Sequence, residues 1–439
     1  IKMRNTLPIV LLLFSSCFLF EDEKKESEQN TNLTLSIRST GVTNAVLNIV
    51  AQEPLSHFTF ELTRNDSMVQ SFVIHSDTMI MDIGLEPNTA YTYQAHWIKG
   101  RERINASNTI ETITMDTTSH EFEWEIHSFE DYGDVSDIWV FDENNIWAVG
   151  LLLLENINIG WQVFRWDGET WENNDPSEGV GNVNSIFALD ENNIWVGSTV
   201  PHFWNGNDWI TYLPNDGFPA GLGRITGIWG TSNSDMYFVT HKNNIVHFDG
   251  TSFTTMAEFT DSIHGAFNEI IGWVDPETGE KYIYVQISIG SLGGRPGTVI
   301  HYVDEEWKIL WDIDNGFFEN PLAVTSTIKI IGNKLIAKTL DIGGSILTIH
   351  DAAYPNLYEI VEQFIFEETN MFASLHLAGN GENDFFGAGM EGRFFHFNGK
   401  TSRIYEIVDR WYLGIDMKNN IVALASMQSP VIVIGRRYE

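Results

Sequence analysis

The strongest constraint on the fold of this chain is an internal repeat that begins near residue 119 and continues to residue 435. The first half of each repeat is a strand pattern, a polar turn and a second strand pattern. These halves read SDIWVFDENNIWAVG (136–150), NSIFALDENNIWVGS (184–198), TGIWGTSNSDMYFVT (226–240), STIKIIGNKLIAKT (326–339), ASLHLAGNGENDFFGAG (373–389) and LGIDMKNNIVALAS (413–426).

The second half of each repeat is again strand, turn and strand, and the turn is usually Asp-Gly or Asn-Gly. These halves read QVFRWDGETWE (162–172), PHFWNGNDWIT (201–211), NIVHFDGTSFTTM (244–256), TVIHYVDEEWKIL (298–310) and RFFHFNGKTSRIYEI (393–407). We align six of the seven repeats on Ile138, Ile186, Ile228, Ile328, Leu375 and Ile415, and a diverged unit, FNEIIGWVDPETGEKYIYVQI (267–287), supplies the first half of the fourth repeat. Four strands in a period of about 40 to 50 residues predict a seven-bladed β-propeller over residues 119–439.

The last repeat has too few residues for a fourth strand of its own, because little sequence follows VIVIG (431–435). The segment EFEWEIHSF (121–129) has the alternation of a strand and lies just before the first repeat. We therefore expect this N-terminal strand to complete the last blade and close the ring, which removes its open edges.

Residues 33–118 show seven short alternating strand patterns, which predict a β-sandwich. The segment LEPNTAYTY (85–93) resembles the signature of fibronectin type III domains. The resemblance implies that Tyr91 is the corner tyrosine, whose hydroxyl bonds to the backbone just upstream. Such modules act mostly as spacers or protein-contact domains, so no chemistry is assigned to this one.

The repeat ITGIWGTSNSDMYFVTHKNNIVHFDGTSFTTM (225–256) resembles a class of bacterial secreted propellers with GIWG…HxDG…W repeats, loosely similar to kelch and sialidase propellers. The resemblance implies an all-β architecture for about 320 residues. It implies little about function, because one fold hosts many functions.

The N-terminal residues have the profile of a signal peptide over 1–16. Lys2 and Arg4 precede an apolar run at 7–14, and two serines stand directly before Cys17. The sequence FSSC (14–17) resembles a bacterial lipobox, which implies that Cys17 carries a lipid anchor. Residues 17–32, with the charged stretch EDEKKESEQNTN (21–32), would then form a tether. The alternatives are an ordinary signal peptide and a membrane-spanning helix, for which the apolar stretch is short.

The chain has 25 Lys and Arg residues against 60 Asp and Glu residues, a formal net charge of -35. Such a surface repels phosphate backbones, so nucleic acid is excluded as a partner. Cys17 is the single cysteine, so the chain cannot form an intramolecular disulfide. We expect a protein of the cell envelope, held at the outer membrane or the cell surface by its lipid.

No residue set points to catalysis, a cofactor or a metal, and none is assigned. The turns at 142–145 and 190–193 resemble cation loops, but Asp and Asn also stabilise ordinary turns. His247, His301 and His396 occupy equivalent places in different repeats, so they cannot converge on one metal. Among 60 acidic residues, no spacing singles out a glycosidase pair.

The candidate binding residues are Arg224 and Arg295, which lie in two of the long irregular segments, 214–224 and 288–297; a third such segment is 151–160. Basic residues are scarce here, so either arginine is suited to an anionic group of a ligand, and the alternative for each is a surface salt bridge. We expect a non-enzymatic binding or scaffold lipoprotein with a protein or carbohydrate ligand. The alternatives are a sialidase- or glycosidase-type enzyme and an envelope assembly factor.

Overall fold

The structure is a computed structural model. It describes residues 33–51, 58–74, 78–129, 132–153, 160–176, 181–259, 265–288, 299–303, 305–311, 325–341, 344–353, 358–365, 376–389, 392–427 and 430–438. The described elements are β-strands, together with one turn of 3-10 helix at Pro214–Asp216. None of the helical structure in these ranges is long and apolar enough to cross a membrane.

Residues 33–113 form two antiparallel sheets that enclose one core. One sheet has the order β1-β2-β5, and the other has the order β4-β3-β6-β7, with β8 paired to β6. The strands are β1 (Leu33–Thr40), β2 (Asn44–Ala51), β3 (Phe58–Arg64), β4 (Ser67–Ile74), β5 (Thr78–Ile83), β6 (Ala90–Lys99), β7 (Glu102–Ala106) and β8 (Ile110–Ile113).

The core of this sandwich follows from the alternation of its strands, because successive side chains of a strand point to opposite faces. On β6, Tyr93, Ala95 and Trp97 point inward and are buried. They meet Leu47 of β2 and Phe60 of β3, both of which are fully buried. The hydroxyl of Tyr91 accepts a hydrogen bond from the backbone N–H of Glu86, just upstream in the chain, at 2.9 Å.

The remaining described strands form seven four-stranded antiparallel sheets, which we number 1 to 7. Sheet 1 is β10 (Tyr132–Asp142), β11 (Asn145–Leu153), β12 (Trp161–Trp166) and β13 (Trp171–Asn173). Sheet 2 is β14 (Ser185–Asp190), β15 (Asn193–Gly197), β16 (Pro201–Trp204) and β17 (Trp209–Thr211). Sheet 3 is β18 (Ile225–Ser232), β19 (Asp235–Thr240), β20 (Asn244–Phe248) and β21 (Phe253–Glu258).

Sheets 4 to 7 repeat the pattern. Sheet 4 is β22 (Ala266–Val274), β23 (Lys281–Ser288), β24 (Val299–Val303) and β25 (Glu306–Trp311). Sheet 5 is β26 (Thr325–Ile331), β27 (Lys334–Asp341), β28 (Gly344–Asp351) and β29 (Tyr358–Ile365). Sheet 6 is β30 (His376–Gly381), β31 (Asp384–Ala388), β32 (Arg393–Phe397) and β33 (Ser402–Glu406). Sheet 7 is β34 (Trp411–Lys418), β35 (Ile421–Met427), β36 (Val431–Arg436) and β9 (Glu123–Ser128).

Sheet 7 combines strands from two distant parts of the sequence. Its order is β34-β35-β36-β9, so the strand Glu123–Ser128 pairs antiparallel with Val431–Arg436. Val433 lies opposite Ile126 in this register. The segment expected to supply the fourth strand of the last repeat is therefore hydrogen-bonded there.

The first strands of the seven sheets pack in a cycle, each against the next, and β34 packs against β10. Neighbouring first strands run in the same direction. Asp137 on β10 accepts from the amide of Ile186 on β14, and Asp416 on β34 accepts from the amide two residues after Ile138, so equivalent positions lie side by side. The connections between first and second strands and between third and fourth strands therefore lie on one face of the cycle, and the other connections lie on the opposite face. We name the face with the first-to-second and third-to-fourth connections the turn face, and the opposite one the loop face.

The packing between sheets explains the aligned residues. Ile138, Ile186 and Ile228 are buried between adjacent sheets, and Trp147 and Trp195 are fully buried beside them. The sequence alignment of the sixth repeat is corrected by two residues: Leu377, not Leu375, is equivalent to Ile138. Leu377 pairs with Gly387 on β31 as Ile138 pairs with Ala148 on β11. Leu375 and Leu377 are two residues apart, so the alternation pattern assigns both to the same face of the strand and could not distinguish them.

The sandwich contacts sheets 4 to 6 at the turn face. Arg38 forms ion pairs with Asp351 at 3.2 Å and with Asp275 at 3.7 Å. The ammonium of Lys334 reaches Ser39 at 3.1 Å, and Lys400 pairs with Glu86. Asp275, Lys334, Asp351 and Lys400 all lie in or beside connections of the turn face. These contacts leave the loop face turned away from the sandwich.

Candidate binding site

The loop face of sheet 3 carries a small basic patch, consisting of Arg224, His241 and Lys242. Arg224 directly precedes β18, and the other two follow β19. The backbone joins them, because the amide of His241 donates to the carbonyl of Arg224 at 2.9 Å. The ammonium of Lys242 donates to the carbonyl of Gly221 at 2.7 Å and so holds the 214–224 segment. All three basic residues are exposed.

Arg224 has no ion-pair partner among the residues that the structure describes. The described residues therefore offer no carboxylate for the alternative, in which Arg224 forms a surface salt bridge. Burial, followed by the positive charge of Arg224, lowers the pKa of His241. The patch is thus a local excess of positive charge on a strongly acidic protein, suited to an anionic group.

Two predicted residues lie outside the described residues: Arg295, in 289–298, and Cys17, in 1–32. Both remain predictions. Most residues of the segments 151–160 and 288–297 also lie outside the described residues.

A second cluster lies at the axis of the cycle of sheets, in the space enclosed by the first strands, which we name the central channel. Five of these strands place a titratable side chain there: Asp137 on β10, Glu269 on β22, Lys329 on β26, His376 on β30 and Asp416 on β34. The Nζ atom of Lys329 lies 2.8 Å from Oε1 of Glu269, and these side chains keep 33% and 27% of their surface accessible.

The two aspartates of the channel are held by backbone amides. Asp137 accepts from Ile186 at 3.0 Å and from Ile138 at 2.9 Å. Asp416 accepts from Val140 at 2.7 Å. In the described residues, Lys329 is the cation whose charge reaches both aspartates.

Burial dominates the electrostatics of the channel. It raises the pKa of Asp137 to about 7 and that of Asp416 to about 6, although the amides and Lys329 oppose it. Burial alone would lower the pKa of Lys329, but Glu269, Asp137 and Asp416 raise it. Burial also lowers the pKa of His376, so its ring is neutral near pH 7.

Aromatic side chains occupy the other side of the channel. Trp139, Phe187 and Trp229 hold the place after the aligned isoleucine on β10, β14 and β18, where β26 and β34 have Lys329 and Asp416. Trp139 meets Phe187 edge to face at 5.4 Å. The aromatic side and the charged side of the channel meet at β10, which carries both Trp139 and Asp137.

The segment between the sandwich and sheet 1 is held at sheet 6 by a buried polar network. Nδ1 of His120 lies 2.8 Å from Nδ1 of His396, whose Nε2 lies 2.9 Å from Oδ1 of Asp384. Arg437 donates to both oxygens of Asp384, at 2.6 and 2.7 Å. Burial would raise the pKa of Asp384, but hydrogen bonds from Arg437, His396 and Asn380 hold it well below its usual range.

A cleft of about 630 Å³ opens beside this network, lined by Gly379, Asn380, Met417, Lys418, Asn419, Asn420 and Arg437. Its polar groups bond to one another: Asn380 donates to Asp384 and to the carbonyl of Asn419, and Asn380 accepts from the amide of Asn419. These bonds occupy the side-chain amide of Asn380, so the cleft is a weaker candidate than the basic patch or the channel.

His247, His301 and His396 lie on the third strands of sheets 3, 4 and 6, so they do not share a site. The described residues contain no group of three or more His, Cys, Asp or Glu side chains that could hold a metal. In the turns that resembled cation loops, Asp142 accepts from the amide of Asn144 and Asp190 from that of Asn192, each at 2.8 Å. This is the usual geometry of an Asx turn.

Sequence reasoning did not identify the channel residues. A signal was present, because Asp137 stands directly before an aligned isoleucine, and Lys329 and Asp416 stand directly after one. Alternation places these positions on the face opposite to the isoleucine, so polar exceptions there mark the axis.

No family model and no curated protein matches the sequence. Among solved structures, the chain is similar to YCF48 bound to D1 peptide, with 14% identity and a TM-score of 0.52, over 74% of this chain and 100% of that chain. It is also similar to the Dos1 propeller (7% identity, TM-score 0.47, 71% and 94% covered). A third similar structure is the computationally designed Ika8 protein (12%, 0.46, 70% and 98%). The chain is an all-β protein with the β-propeller fold.

Proposed function

We propose that this protein is a non-enzymatic binding or scaffold protein that takes a polypeptide partner on the loop face of its propeller. The observation that carries the proposal is the basic patch, in which exposed Arg224 lacks a carboxylate partner among the described residues. An unpaired guanidinium binds carboxylates in a bidentate way, so acidic side chains or a C-terminal carboxylate suit it.

The position of the sandwich supports this choice of face. Its ion pairs with sheets 4 and 5 use the turn face, so a partner can approach the loop face without displacing the sandwich. One structure of similar fold, YCF48, is bound to a peptide. This is consistent with a protein partner.

The finer architecture is part of the proposal. We take each four-stranded sheet as one blade of a seven-bladed ring that β9 closes, supported by its pairing with β36. We take residues 33–118 as a fibronectin type III-like domain, supported by the hydrogen bond from Glu86 to Tyr91. The proposal also places the protein in the cell envelope, where a lipid on Cys17 would anchor it. This part rests on the sequence of residues 1–17.

The proposal is tested by binding of the full chain to a fluorescent Asp/Gly dodecapeptide, compared with its neutral Asn/Gly analogue. We expect Arg224→Ala and Lys242→Ala each to weaken binding of the acidic peptide by about fivefold, because a partly exposed charge pair contributes about 1 kcal/mol. Arg101→Ala is the matched control, since Arg101 is an exposed arginine of the sandwich, away from the loop face.

Equal binding of the two peptides, or equal effects of the three substitutions, would contradict the proposal. The same preparations are incubated with a glycan library. Turnover that a single carboxylate substitution abolishes would favour the glycosidase alternative, and tight binding of a glycan without turnover would assign a carbohydrate ligand.

A further inference from the structure

We propose that the central channel is a second binding site, which receives the guanidinium or ammonium group of a basic side chain from a polypeptide. The site consists of Asp137 and Trp139 on β10 and Asp416 on the neighbouring strand β34. It lies apart from the basic patch and takes a ligand of opposite charge, so it does not depend on the proposed function.

The first support is the charge balance of the channel. Three carboxylates, Asp137, Glu269 and Asp416, face one lysine, and that lysine is already bonded to Glu269 at 2.8 Å. The two aspartates accept from backbone amides in the described residues, which leaves carboxylate lone pairs without a cation. A bound cation would supply the missing charge.

The second support is the aromatic surface beside these carboxylates. Asp416 accepts from the amide of Val140, the residue after Trp139, so its carboxylate lies next to that residue on the ring. Trp139 and Phe187 are both partly exposed. Tryptophan faces attract guanidinium and ammonium groups, and the attraction grows as the site excludes water.

The groups that face the aspartates make the affinity of the channel for a cation depend on pH. Lys329, Glu269 and two amides act on Asp137; Lys329, Lys418 and two amides act on Asp416. Because burial raises both pKa values, to about 7 and about 6, the carboxylates become protonated as the pH falls through that range. A cation binds the ionised form, so its affinity should rise with pH, by about tenfold or more between about pH 5.5 and about pH 8.

The test is calorimetric titration of the full chain with the blocked peptide Gly-Arg-Gly and with its neutral isostere Gly-citrulline-Gly. We expect the arginine peptide to bind at least about tenfold more tightly, since the guanidinium charge is what the carboxylates recognise. Asp137→Asn and Asp416→Asn should each remove most of this difference. Each asparagine keeps a carbonyl oxygen for the backbone amides, and the melting temperature reports whether the fold is intact.

Glu172→Gln is the matched control, because it removes one unit of charge from an exposed place on β13, the outer strand of the same sheet as Asp137. It should leave peptide binding unchanged. Spermidine serves as a free polyamine. Equal binding of the two peptides, binding that survives in both Asn variants, or binding of spermidine without the arginine peptide would each overturn the proposal. None of these results bears on the acidic peptide at the loop face, so the two proposals fail separately.

Discussion

The Nδ1 atoms of His120 and His396 lie 2.8 Å apart, where the segment after the sandwich meets sheet 6. The Asp384 carboxylate only accepts, so Nε2 of His396 donates to it and Nδ1 of His396 is left as an acceptor. With both rings neutral, as their lowered pKa values favour near pH 7, His120 therefore donates to His396. Protonation of both rings would replace this hydrogen bond with two facing N–H groups.

We expect acid to weaken this contact. Burial, reinforced by His396 and Arg403, lowers the pKa of His120 from 6.5 to about 4, and burial also lowers that of His396. A histidine with a lowered pKa binds fewer protons when folded than when unfolded, so its contribution to stability is lost as the pH falls below about 6.5. His120→Asn should flatten the decrease in melting temperature between about pH 7 and about pH 4.5, by roughly 2–4 °C for each kcal/mol involved.

His247→Asn is the control for this measurement, because His247 bonds to Asp235 on its own sheet and faces no second histidine in the described structure. If His120→Asn and His247→Asn had the same pH profile as the wild type, the histidine pair would not be acid-sensitive.

Arg437→Ala should destabilise the protein far more than Arg436→Ala. Arg437 and Asp384 are 11% and 5% exposed, so removal of the arginine leaves a buried carboxylate without its cation, at a cost of about 3–5 kcal/mol. Arg436 pairs with Glu125, which is 43% exposed, and such a pair contributes about 0–1 kcal/mol. Denaturant unfolding measures both variants. Equal free energies of unfolding would show that the Asp384 network is not a main stabilising contact.

Replacement of residues 121–129 by a Gly/Ser linker of equal length should cause aggregation. The change removes β9 and exposes the edge of β36, in which Ile432, Val433 and Ile434 are fully buried. Light scattering after size exclusion measures the result, and a synthetic peptide of residues 121–129 should reduce the aggregation. A monomeric variant with an unchanged melting temperature would contradict ring closure by β9.

If Cys17 carries the proposed lipid, Cys17→Ala should move the protein from the membrane fraction to the soluble fraction, because Cys17 is the single cysteine and follows the apolar run of the predicted signal peptide. A lipid chain contributes about 0.8 kcal/mol for each buried CH₂, so its loss would release the protein. Mass spectrometry of the mature N-terminal peptide gives the direct readout. An unmodified Cys17 would remove the anchor from the proposal.

Much of the strand pattern could be predicted from the sequence, since alternation and Asp-Gly turns are local signals. The strand at 121–129 and the turns at 142–145 and 190–193 follow from short segments, whereas the bond of the Tyr91 hydroxyl to the upstream backbone was implied by a resemblance. Alternation repeats every two residues, so it could not distinguish Leu375 from Leu377 as the aligned residue.

The candidate binding residues also differ in how far the sequence could identify them. Arg224 stood out because basic residues are scarce, but that it has no ion-pair partner among the described residues depends on where the 214–224 segment places it. Asp137, Lys329 and Asp416 belong to three different repeats, far apart in the sequence. Their shared place beside the aligned isoleucines relates them only once the first strands are known to meet at one axis.

The sequence by itself determined the periodic strands, the turns and the excess of acid, because these depend on neighbouring residues and on composition. Only the tertiary structure decided which charges meet, since a closed cycle of sheets brings each first strand to one axis. There, distance and burial control the interaction between charges. An aspartate that would be an ordinary surface acid elsewhere lies at the axis beside a tryptophan and a shared lysine, and its surroundings rather than its sequence neighbours raise its pKa.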